Sequence, residues 1–232
     1  MSFRELKIMV GVLDNGMWHS KFAKSLRAME VTFRNYAVKG YPKQHLRSMV
    51  TTGSVLSKSR YETIKAAKTM LADYLVFIDS DQTFPPFLLH KWVEHDKDVM
   101  AANVATKQIP SSPTARLAPP LGSYVPVPVY TDPESKGLQE VWRVGTGILM
   151  LSKKVLQALP ANCLEVRYVP EIDDYQGEDW SLCKAIQEAG FKIFIDHDMS
   201  KAVGHVGLFE YTHDVVGEIV QEPIPAANEA VA

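Results

Sequence analysis

Two carboxylates one residue apart, Asp79 and Asp81, follow the apolar run Tyr74-Leu75-Val76-Phe77-Ile78. An apolar run of that length predicts a buried strand. In open α/β sheets ligands bind outside the carboxyl ends of the strands. Side chains alternate along extended backbone, so Asp79 and Asp81 are expected to point the same way. Two hard oxygen donors on one side suit Mg²⁺ or Mn²⁺ holding a phosphate group. The competing reading is a polar loop after a buried strand, with Asp81 capping the next turn.

Further along the chain stand Arg60, Gly145-Thr146-Gly147, Gly177-Glu178-Asp179-Trp180 and His205. Gly145 and Gly147 permit close approach of backbone to a ligand, or else form a plain turn into a strand. Glu178 and Asp179 open a helix, where acids stabilise the helix dipole whatever else they do. Arg60, and Lys58 beside it, offer charge-assisted bonds to phosphate, although exposed basic residues are usually just solvated. Alone, His205 reads as a half-buried histidine. Asp173 and Asp174 make a second acidic pair, read as a surface loop.

Taken in order, these blocks resemble the GT-A glycosyltransferases, in particular small family-2-like enzymes including phage-encoded ones. The resemblance runs from the first strand to His205, and rests most on the Gly-Glu-Asp-Trp block followed by Glu188-Ala189-Gly190-Phe191-Lys192. It implies an α/β fold with a mainly parallel central sheet flanked by helices. Residues from about 1 to 105 would form a Rossmann-like nucleotide-sugar-binding half and those from about 106 to 221 a mixed acceptor half of one domain. By the same resemblance Asp81 ligates Mn²⁺ or Mg²⁺, Asp79 contacts the ribose or a metal-bound water, and His205 completes the metal site. An imidazole among carboxylates tilts the choice toward Mn²⁺. Arg60 would meet the diphosphate, Gly145 and Gly147 the donor sugar, and Asp14 and Trp18 the nucleotide base. Asp179 would be the general base of an inverting transfer and Glu178 would orient acceptor or base. The donor is expected to be a UDP-sugar. The acceptor is expected to be a hydroxyl, with a hydroxymethylated base in phage DNA as a candidate.

Rival readings use the same residues. Asp79-Ser80-Asp81-Gln82-Thr83 fits the Asp-x-Asp-x-Thr pattern of haloacid-dehalogenase-like phosphatases, with Asp79 as nucleophile, Asp81 as acid/base and Asp173-Asp174 on Mg²⁺. That motif normally ends the first strand of its fold, whereas two strands are expected before it here. A sugar nucleotidyltransferase would need a glycine-rich, Arg-containing signature that residues 11–18 lack. A nucleotide-sugar-binding module without turnover is the non-enzymatic alternative.

These residues need elements to position them. Strands are expected at 7–13, 46–52, 74–79, 99–105, 142–152, 192–196 and 201–206. Helices are expected at 20–29, 57–71, from Phe84-Pro85-Pro86 onward, at 153–159 and at 177–189. Strands alternating with helices imply a mainly parallel sheet. Residues 109–128 are Pro- and Ser-rich and read as an excursion, and residues 222–232 as a flexible tail. The 232 residues are 46% hydrophobic and 22% charged with net charge -2, which is globular composition without a global basic footprint. A basic bias from Lys21 to Arg47 leaves a local phosphate-contacting patch open. No stretch reads as a membrane span, which needs ~20 apolar residues. The polar start and the isolated Cys163 and Cys183 point to a reduced cytoplasmic protein.

Overall fold

The computed structural model of the chain describes residues 5–14, 16–207 and 210–216. The expected tail lies outside the described residues. The first half contains β1 (Glu5–Asp14), α1 (Ser20–Asn35), β2 (Lys43–Thr52), α2 (Leu56–Met70), β3 (Tyr74–Asp79), β4 (Gln82–Thr83), α3 (Leu88–Glu94) and β5 (Val99–Ala101). Next come β6 (Arg116–Leu117), β7 (Val127–Pro128), β8 (Leu138–Val141), β9 (Ile148–Ser152), α4 (Lys153–Ala158), β10 (Arg167–Val169) and β11 (Asp174–Gln176). The last elements are α5 (Glu178–Glu188), β12 (Ile193–Asp196), α6 (His197–Ser200), β13 (Gly204–Val206), β14 (Glu210–Tyr211) and a 3-10 turn, His213–Val215.

Seven strands form the central sheet in the order β2-β1-β3-β9-β5-β12-β8. Strands β2, β1 and β3 are mutually parallel. Strand β9 runs antiparallel between β3 and β5, β12 lies parallel to β5, and β8 closes the edge antiparallel. The mostly parallel α/β class expected from the alternating pattern is therefore the one observed. The chain leaves β1 for β2 on one side and returns to β3 on the other. The carboxyl ends of β1 and β3 thus flank a topological switch point, where such sheets leave a crevice.

Alternation along the strands sorts the apolar residues into two cores. Met9, Leu13, Leu75 and Phe77 face α2, α4 and α5, whereas Ile8, Val10, Val76 and Ile78 face α1 and α3. By the same parity Asp79 belongs to the α2 and α5 face. Gly11 also faces α2, and there a Cβ would overlap Thr63 Cγ2. Glycine lets the helix settle against β1 at this point.

Several boundaries differ from the sequence expectation, each for a local reason. The strand near residues 46–52 begins at Lys43 and forms the parallel edge of the sheet. The helix expected from Phe84 begins only at Leu88, because Pro85 and Pro86 form a turn in which Leu88 N donates to Pro85 O at 3.2 Å. The strand expected over 99–105 stops at Ala101. Beyond it buried Asn103 ties the loop together, accepting from Ala115 N (2.9 Å) and donating to Val129 O (2.7 Å). The stretch 109–128 is consequently not a free excursion: Ala115 and Ser111 are fully buried, and it carries the β6–β7 hairpin. The strand expected over 142–152 begins only at Ile148, as β9, and β8 lies before it, ending at Val141. Cys163 and Cys183 are buried free thiols. No described helix is long and apolar enough to cross a membrane.

Candidate active site

The carboxyl ends of β1, β2 and β3 border a cleft lined by Leu13, Asp14, Thr51, Gly53, Leu56, Ser59, Asp79, Ser80 and Asp81. Its floor is set by backbone pairing: Ser80 N donates to Leu13 O (3.0 Å) and Asp79 N to Gly147 O (2.9 Å). Asp14 accepts from Gly16 N at 3.0 Å and from Thr52 Oγ1 at 3.4 Å, so its carboxylate is held at the rim. Trp18 does not line the cleft. It meets Phe22 edge-on at 5.2 Å and stays half exposed.

Strand β3 ends at Asp79, so alternation does not carry through to Asp81 and the two carboxylates acquire separate partners. Asp79 turns inward to Arg60, whose Nη2 lies 3.2 Å from Oδ1. The same guanidinium sends Nε to Glu178 Oε1 (3.5 Å) and Nη1 to Thr146 O (3.4 Å). Arg60 is 2% exposed, so its expected outward reach to a diphosphate gives way to a buried cross-brace between Asp79, the Gly145–Gly147 segment and Glu178. Desolvation pushes the Asp79 carboxyl up from its ordinary range, against the pull of Arg60. Gly147 passes close above this pair, since a Cβ there would sit 3.2 Å from Gln82 Nε2 and 3.6 Å from Asp79 Oδ2. At Gly145 the crowding atoms belong to Thr114. Lys58 is exposed.

Asp81 turns the other way, toward a small sheet of β14, β13 and β4. The β13–β4 register sets His205 opposite Gln82, and Val206 N donates to Asp81 O at 2.7 Å. His205 Nε2 thereby lies 3.4 Å from Asp81 Oδ1. Its Nδ1 is 2.9 Å from the Ala105 carbonyl, which can only accept. In the neutral ring that bond places the proton on Nδ1 and the free lone pair on Nε2, the arrangement of a metal-ligating imidazole. Lys107 Nζ bonds the other oxygen, Asp81 Oδ2. Burial opposes ionisation of Asp81, but His205 beside it and the bond from Lys107 outweigh it and bring its pKa down to about 2.

Do these donors fit a divalent ion? Asp81 Oδ1 is buried without a hydrogen-bond partner, and His205 Nε2, which carries the lone pair in the neutral ring, faces it. One carboxylate oxygen and one imidazole nitrogen suit Mn²⁺ or Mg²⁺, which complete their shells with water and substrate phosphate. Among the described residues no three His, Cys, Asp or Glu side chains form a ready-made cage. The residues therefore fit an ion shared with a phosphate-bearing ligand, and Asp79, engaged by Arg60, stands outside the first ligand pair.

Glu178 and Asp179 open α5 as expected. Asp179 Oδ1 accepts from Trp180 N at 2.7 Å. Desolvation, then neighbouring Glu178, raise the Asp179 pKa above the ordinary aspartate range. Arg143, which the sequence did not single out, lies near Asp179, and Arg116, likewise not singled out, pairs with Arg143. Lys107 was missed as well, because a basic residue in a loop has no spacing that distinguishes it from a solvated one. Asp173 and Asp174 lie on the β10–β11 hairpin; Asp173 accepts from Tyr168 Oη and Asp174 from Tyr175 N.

No protein-family model matches the chain, and no curated protein sequence matches it. Solved structures do. A protein from STIV aligns over 87% of this chain and 86% of its own, with 13% identity and a TM-score of 0.53. A variant of Drosophila β1,4-galactosyltransferase 7, in complex with manganese, UDP-Gal and xylobiose, aligns over 87% of this chain and 71% of its own, at 11% identity and a TM-score of 0.50. At these identities the likeness is one of architecture, and the chain has a GT-A-like fold.

Proposed function

We propose that the protein is a divalent-metal-dependent glycosyltransferase, a single catalytic domain that moves a sugar from a nucleotide-sugar, specifically a UDP-sugar, to a hydroxyl. The observation that carries this reading is the buried, unpartnered Asp81 Oδ1 facing His205 Nε2 at the switch-point edge of the sheet. The complex of β1,4-galactosyltransferase 7 with manganese and UDP-Gal supports the choice of donor class. Asp81 and His205 would hold Mn²⁺ or Mg²⁺, which supplies Lewis-acid charge against a departing diphosphate. The cleft bordered by Leu13, Asp14 and Thr51 receives the nucleoside. Lys107 adds a second cation at the edge where leaving-group charge develops.

On the acceptor side Asp179 takes the hydroxyl proton. The hydroxyl oxygen bonds to the anomeric carbon, the bond from that carbon to the phosphate oxygen breaks, and the electron pair leaves with the diphosphate. A carboxylate whose pKa is raised by burial is a stronger base than an exposed one. Arg60 positions Asp79 and Glu178 through one buried guanidinium. Direct displacement inverts the anomeric centre. A phosphatase reading fares worse, because two strands precede β3 and Asp79 is clamped by Arg60 rather than free to attack. For the acceptor, the reading extends to a hydroxymethylated base in phage DNA. Exposed Arg27, Arg34, Lys39, Lys43 and Arg47 support it as cations open to a phosphate backbone, while Lys21 is taken by Glu210.

A thermal-shift panel of UDP and UDP-sugars with and without Mn²⁺, followed by an assay for released UDP, tests the function. Stabilisation that needs both nucleotide and metal, followed by slow donor hydrolysis, is the expected result. Turnover of p-nitrophenyl phosphate without any nucleotide effect would replace the reading with the phosphatase one. Metal-dependent binding without release of UDP from any donor would reduce the protein to a binding module.

A further inference from the structure

Arg116 and Arg143 face each other across an isolated antiparallel bridge. The two residues exchange backbone bonds, Arg116 N to Arg143 O at 2.8 Å and Arg143 N to Arg116 O at 3.2 Å. Directly opposed bridge partners put their side chains on one face, and like charges so placed destabilise the pairing. Neither guanidinium has an ion-pair partner among the described residues. Arg116 Nη1 is spent on the carbonyls of Pro113 and Ala115. Arg143 Nη1 is buried with no hydrogen-bond partner at all. Its guanidinium carbon lies 3.2 Å from the Trp180 ring centroid and 5.1 Å from that of Trp142. The titratable groups facing Arg143 are Arg116, Asp179 and the neutral Cys183 thiol, whose pKa burial raises to about 12; Tyr130 faces Arg116. Burial first, and then Arg116, bring the Arg143 pKa down to about 10, so it remains a cation at neutral pH.

Two forked cations opposed across one bridge and half-buried, Arg143 flattened on an indole and neither in an ion pair among the described residues, form a receptor for an anion. A lone carboxylate saturates one fork. A phosphate has oxygens enough for both and, as a monoester, approaches a charge of −2. We propose that Arg116 and Arg143 bind a phosphate group of the acceptor beside Asp179, so that the acceptor is a hydroxyl compound that itself carries phosphate. This inference rests on the glycosyltransferase reading for the word acceptor, but the anion site itself does not.

The test titrates inorganic phosphate and dimethyl phosphate, at constant ionic strength against a chloride control, into the full chain with ¹⁵N-labelled indoles. Trp180 is assigned by Trp180→Phe. A saturable shift of the Trp180 indole is expected, with affinity weakened about ten-fold or more in Arg143→Gln and in Arg116→Gln. Arg143→Lys, which keeps the charge and loses the fork, should fall between. Saturation by inorganic phosphate alone assigns a terminal monoester, and saturation by both assigns a diester chain; either supports the site. No saturable shift in the folded wild type, or unchanged affinity in Arg143→Gln, overturns it. UDP and Mn²⁺ titrated in parallel separate the two proposals: loss of the phosphate response with intact metal-dependent UDP binding removes only the anion site. Loss of UDP binding with an intact Trp180 response removes the donor reading instead.

Discussion

Asp81 and Asp179 sit in environments that drive their ionisation apart. His205 and Lys107 bring Asp81 down to about 2, whereas desolvation and Glu178 raise Asp179. Groups pushed apart in this way divide into a permanent anion and a base. Transfer should therefore decline as pH falls through a value above that of an exposed aspartate. The limb belongs to Asp179, and Asp179→Asn should retain UDP binding while losing about 10²–10⁴-fold in transfer rate. Normal turnover by that variant would show that Asp179 is not the base. Because the Asp81 pKa is depressed in the folded state, its stabilising contribution to the metal-free protein is complete above about pH 3.9. It is lost as pH falls toward about 2, and acid unfolding of Asp81→Asn should lack that component. The residue types Asp79, Asp81, Asp179 and His205 were legible because their chemistry is rare in buried positions. The direction in which Arg60 points was not, since nothing in the local sequence says that Glu178, 118 positions later, lies beside it.

At the scale of elements, the site depends on two close approaches. Helix α2 carries Arg60 and lies on β1 only because residue 11 is glycine. Gly11→Ala, overlapping Thr63 Cγ2, should cost about 1–3 kcal/mol by forcing helix and strand apart. Chemical denaturation measures it, and an unchanged midpoint would mean that the helix can shift freely. Arg60→Ala leaves Asp79 and Glu178 without their shared cation, and should lose about 3–5 kcal/mol. Arg60→Lys should recover part of the stability without the three-way brace, distinguishable by denaturation and by transfer assay together. Strand periodicity located β1, β3, β9 and β12 because they are buried apolar runs. It truncated β2, whose exposed edge position leaves no hydrophobic pattern, and it missed β8 and the pairing of β13 with β4. Short strands with two to four residues carry too few side chains to show a period.

For the molecule as a whole, the sheet brings together residues that the chain keeps far apart. The first half supplies Asp14, Asp79 and Asp81, and the second supplies Gly147, Glu178, Asp179 and His205. Five strands run in one direction, and β9 threads antiparallel between β3 and β5. Gly147, just ahead of β9, is thereby brought to Asp79. The alternation of helices and strands made the parallel first half legible. The antiparallel insertion was not, because strand order depends on long-range pairing rather than on local pattern.

The most direct measurement is paramagnetic broadening by Mn²⁺ of the His205 imidazole resonances, with UDP present, in wild type and Asp81→Asn. Broadening of His205 at low Mn²⁺ occupancy, enhanced by UDP and abolished by Asp81→Asn, is the expected result. Broadening centred elsewhere, or unchanged in Asp81→Asn, would contradict a metal held by Asp81 and His205.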